Sequence, residues 1–378
     1  MKILFVMKYP INKDYSILQK LNGEMNAVRK LGHEVNYVSF DDESLYLNTE
    51  CGREVIRKTT LGRSGFYYHT LVFRDIYLSV IKAIKTHKYD VVYFRYAPIG
   101  LTGKRMIKLL SQKAKIVVEI PTFPPNQEKQ KTFLRRLYMR YSNHFWKKSA
   151  RYIDLFTGIG EQSESFLNRP LLNIDNGVDV ELIPLRKKRS DGKMHLLAVA
   201  SMSKWQGYDR LIKGLSLWKD ERADKYIIDL VGDDFDGSLN RWKELAKECN
   251  IEKQVCFHGK KVGAELTALF EVATIGIGSL SLFWKGINNS SILKIREYMA
   301  RGLPFVYASN DPHIPQDAKW CLRVPNDDTP IKMQDIDTFI TRLDSESHLE
   351  EKMRAYAEKN MTWEAQFKAV FRKLDLCK

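Results

Sequence analysis

The feature that most constrains the fold of this chain is a regular alternation of short apolar segments with longer stretches of helical periodicity. Apolar runs predict buried strands, for example KILFVM (2–7), DVVYFRY (90–96) and HLLAVAS (195–201). Between these runs, apolar residues recur at the spacing of one helix face. Strands that alternate with helices predict a parallel sheet with helices covering its faces.

The alternation occurs twice, with an interruption near the middle of the chain. Segment 175–193, DNGVDVELIPLRKKRSDGK, is rich in Asn, Gly, Pro and charged residues, which predicts an interdomain linker. A chain of 378 residues is also too long for one ordinary core. We therefore expect an α/β protein with a first domain over 1–178 and a second over 190–355. The carboxyl ends of both sets of strands should line a cleft between the domains.

Positive charge is concentrated in the N-terminal half of the chain. The formal net charge is +15, and segment 101–152 contains thirteen basic residues and two acidic ones. Within it, FLRRLYMRYSNHFWKKSARY (133–152) interleaves aromatic and basic side chains. This pattern fits either a helix with a core-facing aromatic stripe and a solvated basic back, or an interfacial helix on anionic lipid. Nucleic-acid binding is the least favoured of the three interpretations, and we expect no nucleic-acid partner.

Composition indicates the cellular compartment and argues against certain kinds of site, namely disulfide frameworks and zinc sites. The five cysteines are scattered, odd in number and without a C-x-x-C pair, so neither a disulfide framework nor a zinc site is indicated. No apolar run approaches the roughly 18 residues of a membrane-spanning helix. We expect a cytoplasmic protein, with peripheral contact to the inner face of the membrane if segment 133–152 binds lipid.

The acidic pair Asp234 and Asp236 is a candidate metal site. Carboxylates at this spacing can bind Mg²⁺ or Mn²⁺ beside a diphosphate. The pair follows a strand deep in the second domain, however, and an acidic turn is the favoured interpretation.

Segment 290–308 predicts a short helix followed by a buried strand. Ser290 and Ser291 can accept hydrogen bonds from the first backbone N–H groups, so they mark a helix start. Gly302 supplies a left-handed residue past the helix end, and Pro304 prevents its continuation. We therefore expect the helix to pack against the sheet, with a polar row directed elsewhere. That row contains Lys294, Glu297 and Arg301.

Four segments of the second domain occur in an order that is characteristic of one family. They are ASMSKWQGYDRLIKGL (200–215), LVGDD (230–234), FHGKK (257–261) and GINNSSILKIREYMARGLPFV (286–306). Together with LGHEV (31–35) and NIDNGVDVELIP (173–184), they resemble the retaining glycosyltransferases of family 4, which have the two-domain GT-B fold. The likeness extends along nearly the whole chain. It implies two Rossmann-like domains and a terminal segment, 356–378, whose helix packs back on the first domain.

The resemblance also implies a donor site around the polar row. In the family, two glutamates separated by seven residues mark this site, and the second one binds the nucleotide ribose. Glu297 occupies the second position and Asn289 the first, where it would lie near the sugar. Backbone N–H groups near Ser290, Ser291 and Leu293 would point at the diphosphate, and Lys294 would neutralise its charge. The alternative is that Glu297 simply pairs with Lys294 or Arg301.

Other family positions are only partly retained. The cations usually found near the diphosphate align with Met202 and Gln206, so Lys204 is the candidate substitute. The remaining implied nucleotide-sugar contacts are Gly207, Gly232, Gly259 and Lys260, with FHGKK near the base. A histidine frequent after the fourth strand is replaced by Pro121, which leaves Glu119 and Thr122 as candidate catalytic residues.

The resemblance therefore implies a retaining glycosyltransferase that moves a sugar from a nucleotide-sugar donor to a glycan or lipid-linked acceptor in surface polysaccharide biosynthesis. The diphosphate would be stabilised by lysines and a helix N-terminus, so no metal or other cofactor is expected. Two alternatives remain open: a nucleotide-sugar 2-epimerase on the same fold, and a non-catalytic nucleotide-sugar-binding partner subunit.

Overall fold

The chain divides into two compact units. Unit 1 comprises Met1–Gly177 and Trp363–Lys378, and unit 2 comprises Val178–Thr362. The computed structural model describes residues 1–8, 16–58, 71–125 and 133–376, with only the backbone for 16, 17 and 19. The expected linker is not a separate segment, because unit 2 begins within it, at Val178. Residues 356–362, which we expected to belong with the terminal helix, are part of unit 2.

Unit 1 is built around one mostly parallel sheet. Its strands are β1 (Lys2–Val6), β2 (Glu34–Phe40), β3 (Ser44–Thr49), β4 (Gly52–Lys58), β5 (Val91–Arg95), β6 (Lys115–Phe123), β7 (Leu155–Gly160), β8 (Ser165–Phe166) and β9 (Arg169–Asn173). Its helices before the crossover are α1 (Ser16–Lys30), α2 (Val72–Thr86), α3 (Leu101–Leu110) and α4 (Phe133–Ser149). The strand order over the described residues is β4-β3-β2-β1-β5-β6-β7-β9-β8.

The centre of the unit 1 sheet, from β2 to β9, is parallel, as the alternation predicts. At its edges, β3, β4 and β8 run antiparallel to their neighbours. We did not predict the β3–β4 hairpin, because its segment carries mostly polar residues and only a weak alternation. Each face of the central strands carries its own apolar core: Leu4 and Val118 lie in one, and Phe5 and Val117 in the other.

Unit 2 has a fully parallel sheet. Its strands are β10 (Met194–Val199), β11 (Tyr226–Val231), β12 (Val255–Gly259), β13 (Ala273–Ile277), β14 (Phe305–Tyr307) and β15 (Cys321–Arg323). Its helices are α5 (Tyr208–Leu217), α6 (Ser238–Glu248), α7 (Gly263–Val272), α8 (Leu293–Arg301), α9 (Met333–Leu343) and α10 (Leu349–Asn360), after which α11 (Trp363–Lys373) returns the chain to unit 1. With both units Rossmann-like, the expected fold class is confirmed.

The strand order of unit 2, β12-β11-β10-β13-β14-β15, contains a topological switch point. The chain winds outward from β10 through β11 to β12, and then resumes on the other side of β10 with β13. At such a point the loops after two neighbouring strands lead to opposite sides of the sheet. Open α/β sheets bind ligands in the crevice at such a point.

Helix α8 packs against the sheet as expected, but it begins later than the serines predicted. The N-cap residue is Ile292, and no side chain caps the helix. The Ser290 hydroxyl lies 2.6 Å from that of Ser309, and the Ser291 hydroxyl accepts a hydrogen bond from Arg296 at 3.1 Å. Both hydroxyls thus tie the preceding loop instead of the helix. Gly302 ends the helix in the left-handed conformation, with φ 69°, as predicted.

Candidate functional site

The predicted donor-site residues of unit 2 come together at the carboxyl edge of its sheet. Lys204, Gln206 and Gly207 follow β10, and Gly232 follows β11. Gly259 ends β12, with Lys260 directly after it. Parallel strands place all these loops at one edge, because their carboxyl ends point in the same direction.

A polar cluster at the switch point joins the loops after β10 and β13 to α8. The Gln206 carboxamide oxygen accepts hydrogen bonds from Ser279 Oγ at 2.8 Å and from Lys294 Nζ at 2.7 Å. Lys294 Nζ also donates to the Tyr208 hydroxyl at 2.9 Å. Gln206 is 7% exposed, so the carboxamide is fixed within the protein. This cluster, defined by Gln206, Tyr208, Ser279 and Lys294, is called the switch-point cluster below.

Lys294 is the only charged member of the switch-point cluster. Its two hydrogen-bond partners, Gln206 and Tyr208, are neutral. Burial lowers the pKa of Lys294 from 10.5 to about 7, because the ammonium is removed from water without a carboxylate beside it. An anion that entered the crevice would supply the missing charge. The chemistry of the cluster therefore suits an anionic ligand.

Lys204 provides a second cation on the loop after β10. Its backbone N–H donates to Asp236 Oδ2 at 3.1 Å, which fixes the loop. Its exposed ammonium lies 3.3 Å from the centroid of the Trp284 ring. A cation–π contact of this kind holds the side chain in place and leaves the charge accessible to a ligand.

Glu297 is engaged within its own helix. Its Oε1 accepts hydrogen bonds from Arg301 Nε and Nη2, both at 2.9 Å, and its side chain is 27% exposed. The structure thus forms the Glu297–Arg301 pair that we considered as an alternative, and Lys294 is not part of it. Arg301 itself is only 7% exposed, so a ribose that took both of its hydrogen bonds would leave a buried guanidinium without this partner. Ribose binding by Glu297 stays a prediction.

Asn289 and Ser290 lie in the loop before α8, tied to the loop after β14. The Asn289 side-chain oxygen accepts from Asn310 Nδ2 at 2.8 Å. The Ser290 N–H donates to the Asn310 carbonyl at 2.9 Å, so this N–H group does not point at a ligand as we expected.

The three glycines of the predicted donor site differ in whether the local structure requires a glycine. Gly232 has φ 144°, and a Cβ there would lie 1.7 Å from the Ala200 carbonyl oxygen, so only glycine lets the two loops approach. Gly207 has φ 70°, and a Cβ would meet Ser281 Oγ at 2.2 Å. Gly259 has φ 65°, but a Cβ would meet nothing within 4 Å. Gly259 therefore borders open space, and Lys260 beside it is exposed.

The acidic pair forms a turn, as favoured from the sequence. Asp234 Oδ1 accepts from the Gly237 N–H at 2.9 Å, and Asp236 Oδ1 accepts from Ser238 Oγ at 2.6 Å. These carboxylates start α6 and fix the loop that contains Lys204.

Glu119 lies in a buried ion-pair cluster of unit 1, and its side chain is 0% exposed. Its oxygens accept from Lys20 Nζ at 2.9 Å and Arg95 Nε at 3.0 Å. Burial disfavours the charged carboxylate, but Arg95 and Lys20 outweigh burial and lower the pKa of Glu119 to about 2. A carboxylate with no exposed surface and two cations on it has a structural role, so we do not carry its catalytic assignment forward. Thr122, by contrast, is exposed.

Unit 1 also contains a pocket of about 490 Å³ that the sequence did not reveal. Its aromatic wall includes Tyr96 and Trp146, which stack with ring centroids 4.4 Å apart. Its basic wall is formed by Arg140, His144 and Lys147 of α4. Trp146 is only 1% exposed, so it supports Tyr96 from behind, while the half-buried Tyr96 borders the pocket and the basic side chains suit an anionic group.

The N-terminal half of α4 exposes apolar side chains next to that pocket. Phe133 is 70% exposed, Leu134 76%, Leu137 55% and Tyr141 48%. The buried side chains of α4 are Ser142, Trp146 and Ser149, all in its C-terminal half. The core-facing interpretation of the aromatic stripe is therefore wrong for the first half of the helix.

None of the helices in the described part of the chain is both long and apolar enough to cross a membrane.

Comparison with known proteins finds likeness at the level of the fold. No family model matches the sequence, and no curated protein matches it. Among solved structures, Anabaena HepE in complex with UDP is 14% identical, with a TM-score of 0.65 and 100% of both chains covered. Sucrose-phosphate synthase of Thermosynechococcus elongatus is 15% identical, with a TM-score of 0.66 and 99% of both chains covered.

A third neighbour, WaaG, is a glycosyltransferase involved in lipopolysaccharide biosynthesis. It is 15% identical, with a TM-score of 0.63, and the match covers 98% of this chain and 99% of WaaG. HepE has also been solved with UDP-glucose and with UDP and glucose. These neighbours are GT-B glycosyltransferases, and at this level of identity the likeness shows that this chain shares their fold.

The buried ion-pair cluster of unit 1 gives a test that separates a structural from a catalytic Glu119. Glu119→Gln should lower the free energy of unfolding at pH 6 by about 3–5 kcal/mol, because it leaves Lys20 and Arg95 buried with less negative charge. Urea unfolding measures this. The lowered pKa means that the Glu119 contribution is present above pH 4.5 and is lost as the pH falls towards 2.

Glu24 provides the matched control, since it belongs to the same cluster and its side chain is 1% exposed. Burial and the neighbouring Glu119 charge raise the pKa of Glu24 to about 7. Because its raised pKa favours the protonated form, Glu24→Gln should lower the stability at pH 6 less than Glu119→Gln does. Equal effects of the two substitutions would contradict the assigned role of Glu119.

Proposed function

We propose that this protein is a glycosyltransferase that moves a sugar from a nucleotide-sugar donor to an acceptor with retention of anomeric configuration. The observation that carries the proposal is the switch-point cluster, where Lys294 lies at the carboxyl ends of β10 and β13 with neutral hydrogen-bond partners only. A diphosphate is the anion whose binding would place a nucleotide sugar across this crevice.

The groups around Lys294 suit the parts of such a donor. The N-terminus of α8 would attract the diphosphate, because its first N–H groups and its dipole favour negative charge. Lys204 would bind the same group from the opposite loop. Glu297 would accept hydrogen bonds from the ribose hydroxyls through its partly exposed carboxylate while it keeps its contact with Arg301, with Asn289 near the sugar. The open space at Gly259 and Lys260 would take the base.

Catalysis would rest on stabilising the leaving group. As the bond between the sugar and the diphosphate breaks, negative charge grows on the departing phosphate. Lys294 would take up a proton on donor binding, and it would then stabilise this charge together with Lys204 and the α8 dipole. Fixed cations can do this without a metal ion, so we propose that none is required.

The acceptor would bind to unit 1. The pocket beside α4 combines stacked Tyr96 and Trp146 with the basic side chains of Arg140 and Lys147. The basic side chains suit the phosphate of a phosphorylated sugar, and the half-buried Tyr96 suits the sugar itself. The exposed Phe133 and Leu137 on the same helix suit the lipid part of a lipid-linked acceptor, or the surface of the membrane that contains it.

We infer a cytoplasmic enzyme of surface polysaccharide biosynthesis that binds the membrane peripherally. Family 4 is the family that the sequence motifs favour.

The first prediction concerns the pH dependence of donor binding. Between pH 6.5 and 8.5, the dissociation constant of UDP-glucose or another bound nucleotide sugar should rise about 20-fold, because Lys294 must be protonated to bind a diphosphate and loses that proton above pH 7. Isothermal titration calorimetry measures both the affinity and the proton uptake. A nucleotide sugar is the proper probe, since its diphosphate keeps the same charge over this range.

Lys294→Met should weaken binding about tenfold or more at pH 6.5 and abolish the pH dependence. Lys204→Met is the matched control: it should weaken binding and keep the pH dependence. Without ligand, Lys294→Met should raise the melting temperature at pH 6 but not at pH 10.5, because the lowered pKa makes wild-type stability rise from pH 7 to 10.5. A pH profile that Lys294→Met leaves unchanged would exclude Lys294 from the diphosphate site.

The second prediction separates transfer from its alternatives. The nucleotide sugar that gives the largest thermal shift should release nucleoside diphosphate only when polyprenyl-diphosphate-linked sugars are added. An epimerase would convert the sugar nucleotide without an acceptor. A non-catalytic binding subunit would bind the donor and release nothing.

The third prediction concerns the membrane. Replacing Phe133, Leu134 and Leu137 together by serine should reduce binding to vesicles of phosphatidylglycerol and phosphatidylcholine at least tenfold, because each exposed side chain contributes apolar area on insertion. Serine at three other exposed apolar positions, Leu182, Leu217 and Val262, is the matched control and should have no effect. Co-sedimentation measures both variants; equal losses would show that α4 does not contact the bilayer.

A further inference from the structure

A cluster of three different metal-ligating side chains lies on β11 and β12 of unit 2. Asp229 is on β11, and Cys256 and His258 are on β12. One carboxylate oxygen, the Cys256 sulfur and one imidazole nitrogen all lie within 4.8 Å of one another. None of these three residues belongs to the switch-point cluster; His258 lies in the FHGKK segment that we expected near the base, and Asp229 and Cys256 lie outside the predicted donor contacts.

Strand geometry explains why these side chains converge. Asp229 and Cys256 are directly paired in the parallel register of β11 and β12. His258 lies two residues after Cys256, so it points to the same face of the sheet. This convergence could not be predicted from the sequence, because Cys256 and His258 form no standard motif and Asp229 lies on a different strand.

A second histidine supports the cluster from β10. His195 Nδ1 lies 2.6 Å from Asp229 Oδ2, and His195 Nε2 lies 3.0 Å from Asp191 Oδ2. The other oxygen of Asp229, Oδ1, lies 2.7 Å from His258 Nε2. Contacts such as the one from His195 orient a ligating carboxylate from behind, as outer partners do in protein metal sites.

We propose that Asp229, Cys256 and His258 bind a divalent transition-metal ion, with Zn²⁺ as the best match and water in the fourth position. A thiolate and an imidazole select zinc over Mg²⁺ or Ca²⁺, which prefer oxygen ligands. Two ligands on one tetrahedral zinc lie about 3.3 Å apart. Asp229 Oδ1 and His258 Nε2 therefore have to separate by about 0.6 Å, which a small rotation of the half-buried imidazole provides.

The burial of the three ligands suits a bound ion. Asp229 is 3% exposed, whereas Cys256 and His258 are half-buried, so an ion can enter from the side of β12. Burial and the Asp229 charge raise the pKa of the Cys256 thiol, so the sulfur holds its proton until a metal displaces it. The ion would join the edge strand β12 to β11. This role is independent of the proposed glycosyltransferase activity.

The test on the unaltered protein is protection of Cys256 from alkylation. The full chain is treated with iodoacetamide with and without one equivalent of ZnCl₂, and peptide mass spectrometry follows each cysteine. Zinc should slow alkylation of Cys256 at least tenfold and leave the exposed Cys51 and the half-buried Cys249 unchanged. Equal rates at Cys256 with and without zinc would overturn the proposal.

The second test uses Co²⁺, whose thiolate complexes absorb light, together with substitutions of the proposed ligands. Co²⁺ should produce a near-ultraviolet thiolate-to-metal absorption band in the wild-type protein and in Cys249→Ser. The band should be lost in Cys256→Ser, and Co²⁺ affinity should fall at least tenfold in His258→Gln. Circular dichroism checks that each variant is folded. A band that survives Cys256→Ser, or no band in the wild type, would show that the cluster is only a hydrogen-bonded network.

Discussion

Parallel pairing of β10 with both β11 and β13 is the constraint on which the arrangement of unit 2 depends. It brings the carboxyl ends of all the strands to one edge, and the direction in which the chain winds changes at β10. The loops that contain Gln206 and Ser279 meet there, and α8 places Lys294 between them. The strand order thus sets the position of the proposed ligand site, and the residues of the loops set which ligand groups it can bind.

The buried Lys20 and the half-buried Lys294 differ in how their charges are compensated. Lys20 of unit 1 lies between Glu24 and Glu119, and this cluster holds its charges with partners that leave no room for a ligand. Lys294 of unit 2 donates hydrogen bonds to two neutral groups, the Gln206 carboxamide and the Tyr208 hydroxyl. A buried cation without an anion costs stability, and proteins keep such strain where a ligand relieves it. This contrast is why we place the activity at Lys294.

Several features were accessible from the sequence and several were not. The central strands and the left-handed end of α8 at Gly302 follow from local patterns, which neighbours in the chain determine. The helix start at Ser290 and Ser291 was wrong, because both hydroxyls bond partners brought by folding. The catalytic assignment of Glu119 came from the family resemblance, in which Pro121 replaces a histidine; only the fold shows that Lys20, 99 residues away, donates to its oxygen.

The sequence by itself determined two parallel α/β sheets, because the alternation of apolar strands with amphipathic helices is a local property that permits few other packings. It also determined that α4 is basic and aromatic. Only the tertiary structure decided which of its aromatic residues face solvent, which lysine lacks a carboxylate, and that Asp229 meets Cys256 and His258. The physical reason is that burial and charge compensation depend on residues far apart in the chain, whose proximity is set by strand order and register.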